Sequence, residues 1–287
     1  MVRVLIAGIG YVGQAVAVRL IQAGHQVSGL RRGEGRELEA LGISTVRCDI
    51  TQAAQLQEVH GPFDWLINTV SSSKGGVEEY KAVYLEGTRN LLGWAQEHPL
   101  QKYVHVSSTS VYGQTDGSQV DETSPTEPSS ETGRILVEAE KLILSAKVPA
   151  VILRASGIYG PERGHLFQQY LRGEATISGD PQRYLNMIHR DDLVGAIIAA
   201  LERGRAGETY NVTDDVPVPL IDFFRWLSAE LKRPMPPSVA EAPSKRKRAV
   251  TSKRISNVKL KAQTGYQFIY PGYREGYLSE IKRLGLG

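Results

Sequence analysis

A doubly wound α/β fold, with helices on both faces of a parallel sheet and a smaller C-terminal lobe, is what the sequence predicts. Two observations carry the prediction. Short Val- and Ile-rich runs alternate with segments of helical period through most of the first two hundred residues, and the first run ends in a glycine cluster that opens a helix. Strands are expected near Val2–Ala7, Gln26–Leu30, Ser44–Arg47, Trp65–Thr69, Lys102–Ser107 and Ala150–Arg154. The helix Val12–Ala23 follows the first strand. The clearest period lies in Thr132–Ala146, where Ile135, Leu136, Ala139, Leu142 and Ile143 share a stripe and Glu138, Glu140 and Lys141 fall off it. After an excursion over Gly160–Ile188, a helix at Asp191–Glu202 and a strand at Glu208–Val212 return to the sheet. A helix near Leu220–Lys232 precedes a proline-rich, basic loop over 233–254. The division expected is a nucleotide-binding domain over 1–157 that also receives 189–213, and a smaller lobe made of 158–188 and 214–287.

Composition narrows the class. A chain of 287 residues with 41% hydrophobic and 23% charged residues can bury a large core. Its longest clean apolar run, Leu193–Leu201, is far short of the roughly 20 residues that span a bilayer, so no membrane partner is expected. The N-terminus reads as a strand entering a turn and not as a signal peptide. One cysteine, Cys48, excludes an internal disulfide and fits a reducing cytoplasm, with Cys48 itself an inert buried residue. A net charge of +3 argues only weakly for a polyanionic partner.

The chemistry begins at Gly8-Ile-Gly10-Tyr11-Val12-Gly13, a GxGxxG spacing between a strand and a helix. The first glycine permits a tight turn, the second lets the backbone approach a pyrophosphate, and the third allows close helix packing, while the helix N-terminus attracts phosphates. A site for NAD ordinarily carries an acidic residue about 20 residues on, to accept from the ribose 2′-hydroxyl. Here the stretch from Gln26 to Gly33 has no acid and instead places Arg31 and Arg32 at the strand end. Guanidinium forks suit a 2′-phosphate by charge and by paired hydrogen bonds, which favours NADP(H). The alternative is that strand-end arginines are solvated. Asp49 is a candidate acceptor for the adenine edge, or a cap of the next helix.

Further blocks accompany the glycine loop: "YLEGTRNLL" at 84–92, "VHVSSTSVYG" at 104–113, "LRASGIYGPER" at 153–163, "MIHRDDLVGAI" at 187–197 and "YNVTDD" at 210–215. Together they resemble the extended and atypical short-chain dehydrogenase/reductases, the NAD-dependent epimerase/dehydratase group. The resemblance implies a Rossmann domain with a smaller substrate lobe, small-molecule substrates that are often nucleotide-linked sugars, and pairing of two copies through helices into a homodimer. It places on Ser108 the role of orienting a substrate carbonyl or hydroxyl. The general acid/base tyrosine and its lysine four residues later fall on Ser130 and Arg134, and neither matches. A serine hydroxyl is a far weaker acid than a phenol of pKa about 10, and arginine does not exchange protons in proteins. Ser130 reads better as a helix cap, and Arg134 as a holder of ribose or phosphate. The asparagine of the family's "NVxGTxN" is replaced by Tyr84. Tyr84 and Tyr112 are therefore the phenols that can be argued toward the cleft, each with packing as the alternative.

The family uses the strand before the "IHxDD" motif to line its pocket, which makes Arg183 and Asn186 candidates for touching a polar substrate, together with Arg163 of the "GPER" block. His189 matches the motif's histidine, while Asp191 and Asp192 read as an N-cap and first turn. No two histidines stand at the spacing of a helical metal site, so no metal is expected. The cluster Lys245–Arg248 with Lys253 and Arg254 reads first as a solvated loop and second as a substrate anion site. A nucleic-acid patch comes third, because no aromatic residues are interleaved for stacking. Two functions remain open: an NADP-dependent oxidoreductase or epimerase-like enzyme with Ser108 and Arg134 at its site, or a nucleotide sensor that kept the cofactor site and lost proton transfer.

Overall fold

Seven parallel strands, Arg3–Ala7, Gln26–Arg31, Ser44–Arg47, Trp65–Asn68, Lys102–Ser108, Ala150–Ala155 and Thr209–Val212, form the central sheet of the computed structural model. The structure describes residues 1–73, 75–239 and 251–286. Across the sheet the order is 209–212, 150–155, 102–108, 65–68, 3–7, 26–31, 44–47. The order reverses between the first and fourth strands, which leaves a crevice beyond their carboxyl ends where α/β proteins bind ligands. The expected strands are all present, each displaced by at most two residues at an end.

Strand pleating explains the two-sided core. Val4 and Ile6 point to one face, where the helices Tyr11–Gln22 and Arg190–Arg203 cover them with Val16, Leu20, Leu193 and Ile197. Leu5 and Ala7 point to the other, under Leu91, Trp94 and Ile143 of the helices Gly87–Gln96 and Glu131–Ser145. Every residue of Ala150–Ala155 is buried. Preceding Gly87, the same helix runs through a π segment, Lys81–Glu86, after the turn Val77–Tyr80. The third core is aromatic: Tyr159, Phe167, Phe223, Phe224, Tyr273 and Tyr277 pack the helices His165–Leu171, Leu220–Leu231 and Tyr273–Arg283 together. Among the described residues, no helix is long and apolar enough to cross a membrane.

Two expectations about local structure are corrected. Glu140 lies inside the helix stripe instead of outside it: it is 3% exposed, because Arg154 on the neighbouring strand supplies a buried counter-charge. The cap of the helix Arg190–Arg203 is His189, whose Nδ1 accepts the Asp191 amide at 3.2 Å. Asp192 is fully buried and accepts from the Tyr266 hydroxyl and the Ile269 and Tyr270 amides, so its carboxylate clamps the C-terminal segment. The run Lys245–Arg248 lies outside the described residues.

Candidate functional site

One cavity of about 1180 Å³ runs from the glycine loop along the carboxyl ends of the strands to Leu166 and Gln169 of the helix His165–Leu171 and Leu220 of the helix Leu220–Leu231. At its first end Gly8 has φ +87°, and a Cβ there would stand 2.6 Å from the Val70 amide nitrogen. Gly13 is equally constrained, since a Cβ would meet the Gly8 carbonyl oxygen at 2.3 Å. Thr69 Oγ1 donates to that carbonyl at 2.7 Å and ties the loop to the fourth strand. Gly10 differs: nothing lies within 4 Å of the position a Cβ would take, so a side chain there would project into open space. The helix beginning at Tyr11 has no side-chain cap and no acid in its first turn. Its first amides therefore face an open cradle without a partner of their own, a fit for the diphosphate of a dinucleotide.

Tyr11 closes one side. Its hydroxyl donates to the Pro161 carbonyl at 2.9 Å, and the Arg163 and Arg190 guanidinium groups lie 5.0 and 5.2 Å from its ring centre. Burial pushes the Tyr11 phenol up to about 12, so it stays protonated. The two strand-end arginines both line the cavity but differ in their partners. Arg31 Nη1 donates to Glu37 Oε1 at 2.5 Å, whereas no ion pair is formed by Arg32 among the described residues. Asp49 Oδ1 accepts the Thr51 amide and hydroxyl at 3.0 and 2.8 Å, the geometry of a turn cap, while Asp49 also lines the cavity. Cys48 beside it is buried, and burial raises its thiol to about 11.

At the far end, Ser108 finishes the fifth strand. Its Oγ accepts the Ser110 amide at 3.2 Å and the Ser110 hydroxyl at 3.0 Å, so its own proton remains for a further acceptor in the cavity. Tyr84 enters from the π segment, a local irregularity common at functional sites. It lines the cavity with its oxygen accepting the Ser72 amide at 3.2 Å. Arg163 and Arg183 line the same cavity.

Several candidates have their polar groups engaged by the protein itself. Tyr112 is fully buried, and its hydroxyl donates to Asn211 Oδ1 at 2.9 Å and accepts from Arg154 Nη1 at 2.8 Å. Burial also holds this phenol above its ordinary pKa. Tyr112 lines the cavity, but its hydroxyl is committed to Asn211 and Arg154, so the phenol is not placed to protonate a substrate. Arg134 is exposed, donates from Nη1 to the Ser129 carbonyl at 2.9 Å, and does not line the cavity. Ser130 caps the helix Glu131–Ser145 by accepting the Gly133 amide at 3.2 Å. Asn186 reaches the cavity wall, but its amide is engaged at both ends, donating to the Lys253 carbonyl and accepting the Ile255 amide at 2.9 Å each.

Sequence reasoning ranked Lys253 first as part of a solvated loop and only second as part of a substrate anion site. Grouped with a solvated basic loop, it is instead 4% exposed and lines the cavity. No local pattern separates it from the neighbouring cations, since its burial follows from contacts with residues far away in the chain.

Comparison with known proteins identifies the family and the fold. A model of the NAD dependent epimerase/dehydratase family matches residues 4–213. Protein YeeZ of Escherichia coli is 27% identical over 285 residues, covering 94% of this chain and 97% of that one. A solved structure from Methylobacillus flagellatus, described as a candidate NAD-dependent epimerase/dehydratase, is 33% identical, covers 99% of both chains and superposes with a TM-score of 0.80. The dTDP-glucose 4,6-dehydratase of Bacillus anthracis, solved with NAD, shares the fold at a TM-score of 0.84 and 19% identity, covering 98% of this chain and 96% of that one. With the matched region taking in all seven strands, the glycine cradle and Ser108, the chain belongs to the NAD dependent epimerase/dehydratase family.

Proposed function

We propose that this family member is an NADP-dependent oxidoreductase or epimerase-like enzyme whose substrate is a polar alcohol or carbonyl compound, with nucleotide-linked sugars as the first class to try. The observation that carries the reading is one continuous cavity joining the glycine cradle and Arg32 to Ser108 and, beyond it, to Arg163 and Arg183. A nicotinamide dinucleotide, when bound, supplies or accepts a hydride. The residues of the chain do the rest: the first amides of the helix Tyr11–Gln22 hold the diphosphate, Arg32 meets a 2′-phosphate, and Ser108 orients the substrate oxygen. Asp49 is the single carboxylate lining the cavity among the described residues, against Arg31, Arg32, Arg163, Arg183 and Lys253. That balance suits an anionic cofactor and a substrate carrying phosphate or carboxylate groups.

A titration with NADPH and with NADH tests the cofactor first. Arg32→Ala is expected to weaken NADPH roughly 10- to 100-fold and to leave NADH unchanged, the size of a lost charge-assisted hydrogen bond. Arg31→Ala is expected to have the smaller effect, because Glu37 already neutralises that guanidinium. Equal affinity of the wild type for both nucleotides would refute the NADP assignment.

A second reading is favoured by one observation. The family's tyrosine and lysine positions hold a helix cap and an outward-turned arginine, as expected of a nucleotide sensor without turnover. A screen of carbonyl compounds with NADPH separates the two, since sustained NADPH consumption matched by product excludes a pure sensor.

A further inference from the structure

At the position where the family keeps its proton donor, this chain has a capping serine, yet a buried cation on another wall of the cavity has no assigned task. Lys253 Nζ donates to the Tyr112 carbonyl and to Thr251 Oγ1, each at 2.9 Å. An ammonium carries three N–H bonds, so one donor is left over on a side chain that lines the cavity. No carboxylate pairs with it among the described residues. The acids of the adjoining stretch are engaged elsewhere: Asp116 with the Ser118 amide, Asp121 with Thr123 and Ser124, and Glu122 with the Asn211 amide. The one carboxylate on the cavity wall among the described residues, Asp49, is engaged by Thr51, and the other polar wall groups Arg163, Arg183, His165, Tyr84 and Tyr184 include no carboxylate. Burial without a counter-charge pushes the ammonium down to about 8. Both protonation states are then accessible near neutral pH, as a group that moves protons needs.

The side chain is also held in place. Asn186 grips the backbone on both sides of Arg254, and Arg254–Ile255 pairs in parallel with Gln119–Val120. Tyr112, whose carbonyl accepts a hydrogen bond from Lys253 Nζ, has its side chain fixed by Arg154 and Asn211 and stands on the turn that starts at Ser108. Lys253 and Ser108 thus belong to one rigid stretch of wall.

We propose that Lys253 is the catalytic proton-transfer residue of this site, delivering its Nζ proton to the substrate oxygen that Ser108 orients; this rests on the enzymatic reading above. In the reductive direction the carbonyl carbon receives a hydride, with its two electrons, from the reduced nicotinamide dinucleotide. The C=O π bond breaks and the oxygen takes the proton from Nζ. The products are an alcohol, the oxidised dinucleotide and a neutral amine, which regains a proton from water. In the oxidative direction the neutral amine is the base.

Two measurements on the full chain test this. Limited reaction with methyl acetimidate across a pH series, read by peptide mass spectrometry, should show Lys253 becoming reactive near pH 8. The exposed lysines should follow only near their ordinary value of about 10.4. An ordinary midpoint for Lys253 overturns the proposal. Separately, Lys253→Met and Lys253→Arg should each lower turnover roughly 10²–10⁴-fold, the range of general acid–base catalysis, with NADPH affinity unchanged. Retained turnover in Lys253→Arg overturns it as well, because a fixed positive charge would then suffice. Failure of the wild type to bind NADPH is seen before either variant is assayed and removes the enzymatic reading itself.

Discussion

Glu140→Ala is expected to lower the stability of the protein by about 3–5 kcal/mol, the range for removing one partner of a buried ion pair. Glu140 and Arg154 are buried against each other, with Arg154 Nη2 2.7 Å from Glu140 Oε2 and Nε within 3.2 Å of both carboxylate oxygens. Ser107 donates to Oε1 at 2.6 Å. Alanine would leave a guanidinium buried without its counter-charge and a serine hydroxyl without its acceptor. A thermal scan should register a drop of about 10 °C, given roughly 2–4 °C per kcal/mol for chains somewhat shorter than this one. The loss should be partly recovered in Glu140→Leu/Arg154→Met, which removes both charges together. A change within about 0.5 kcal/mol, as for ordinary surface substitutions, would mean that the pair holds nothing together.

The consequence reaches the site. The same guanidinium donates to the Tyr112 hydroxyl, and the Tyr112 carbonyl accepts a hydrogen bond from Lys253 Nζ. Losing Glu140 therefore loosens the wall on which Lys253 stands, and any activity lost in that variant should be accompanied by an altered pH dependence of Lys253 labelling.

What the sequence made legible was whatever depends on neighbours within a dozen residues. The strands Arg3–Ala7, Trp65–Asn68 and Ala150–Ala155 are short, mostly apolar runs, and the glycine loop announces itself because strand, loop and helix are contiguous. Ser130 could be read as a cap because its partner, the Gly133 amide, is three residues on. What it hid depends on pairs that meet only in space. Glu140 looks like a solvated charge until Arg154 is beside it. Lys253 looks like one more cation of a basic loop until Asn186 and the Tyr112 carbonyl hold it and Gln119–Val120 pairs with the residues that follow it. Two-residue pairings such as Arg254–Ile255 with Gln119–Val120 have no periodicity of their own, so the elements that carry Lys253 into the cavity leave no trace in the local pattern. Tyr112 is legible only in part: its motif suggests the cleft, and the residue does line the cavity, but its hydroxyl is taken up by Arg154 and Asn211, which meet it only in space.

Ser108→Ala is expected to lower turnover by about 10²–10³-fold on whichever carbonyl compound the NADPH screen returns, the magnitude measured when one donor to a developing oxyanion is removed. The argument is one of hydrogen-bond accounting. Ser108 Oγ already accepts twice from Ser110, so its hydroxyl hydrogen is the group left to meet a substrate oxygen. Removing it deletes the donor and leaves the glycine cradle untouched, so NADPH affinity should not change. The same oxygen also caps the short turn Thr109–Val111, and losing a cap costs about 1 kcal/mol. The thermal midpoint should therefore fall slightly, and Ser108→Thr, which restores both donor and cap, should recover stability and turnover together. The two roles separate in the kinetics: an alanine variant with the small loss of stability but undiminished turnover would leave Ser108 as the cap of a turn and return the substrate oxygen to another donor.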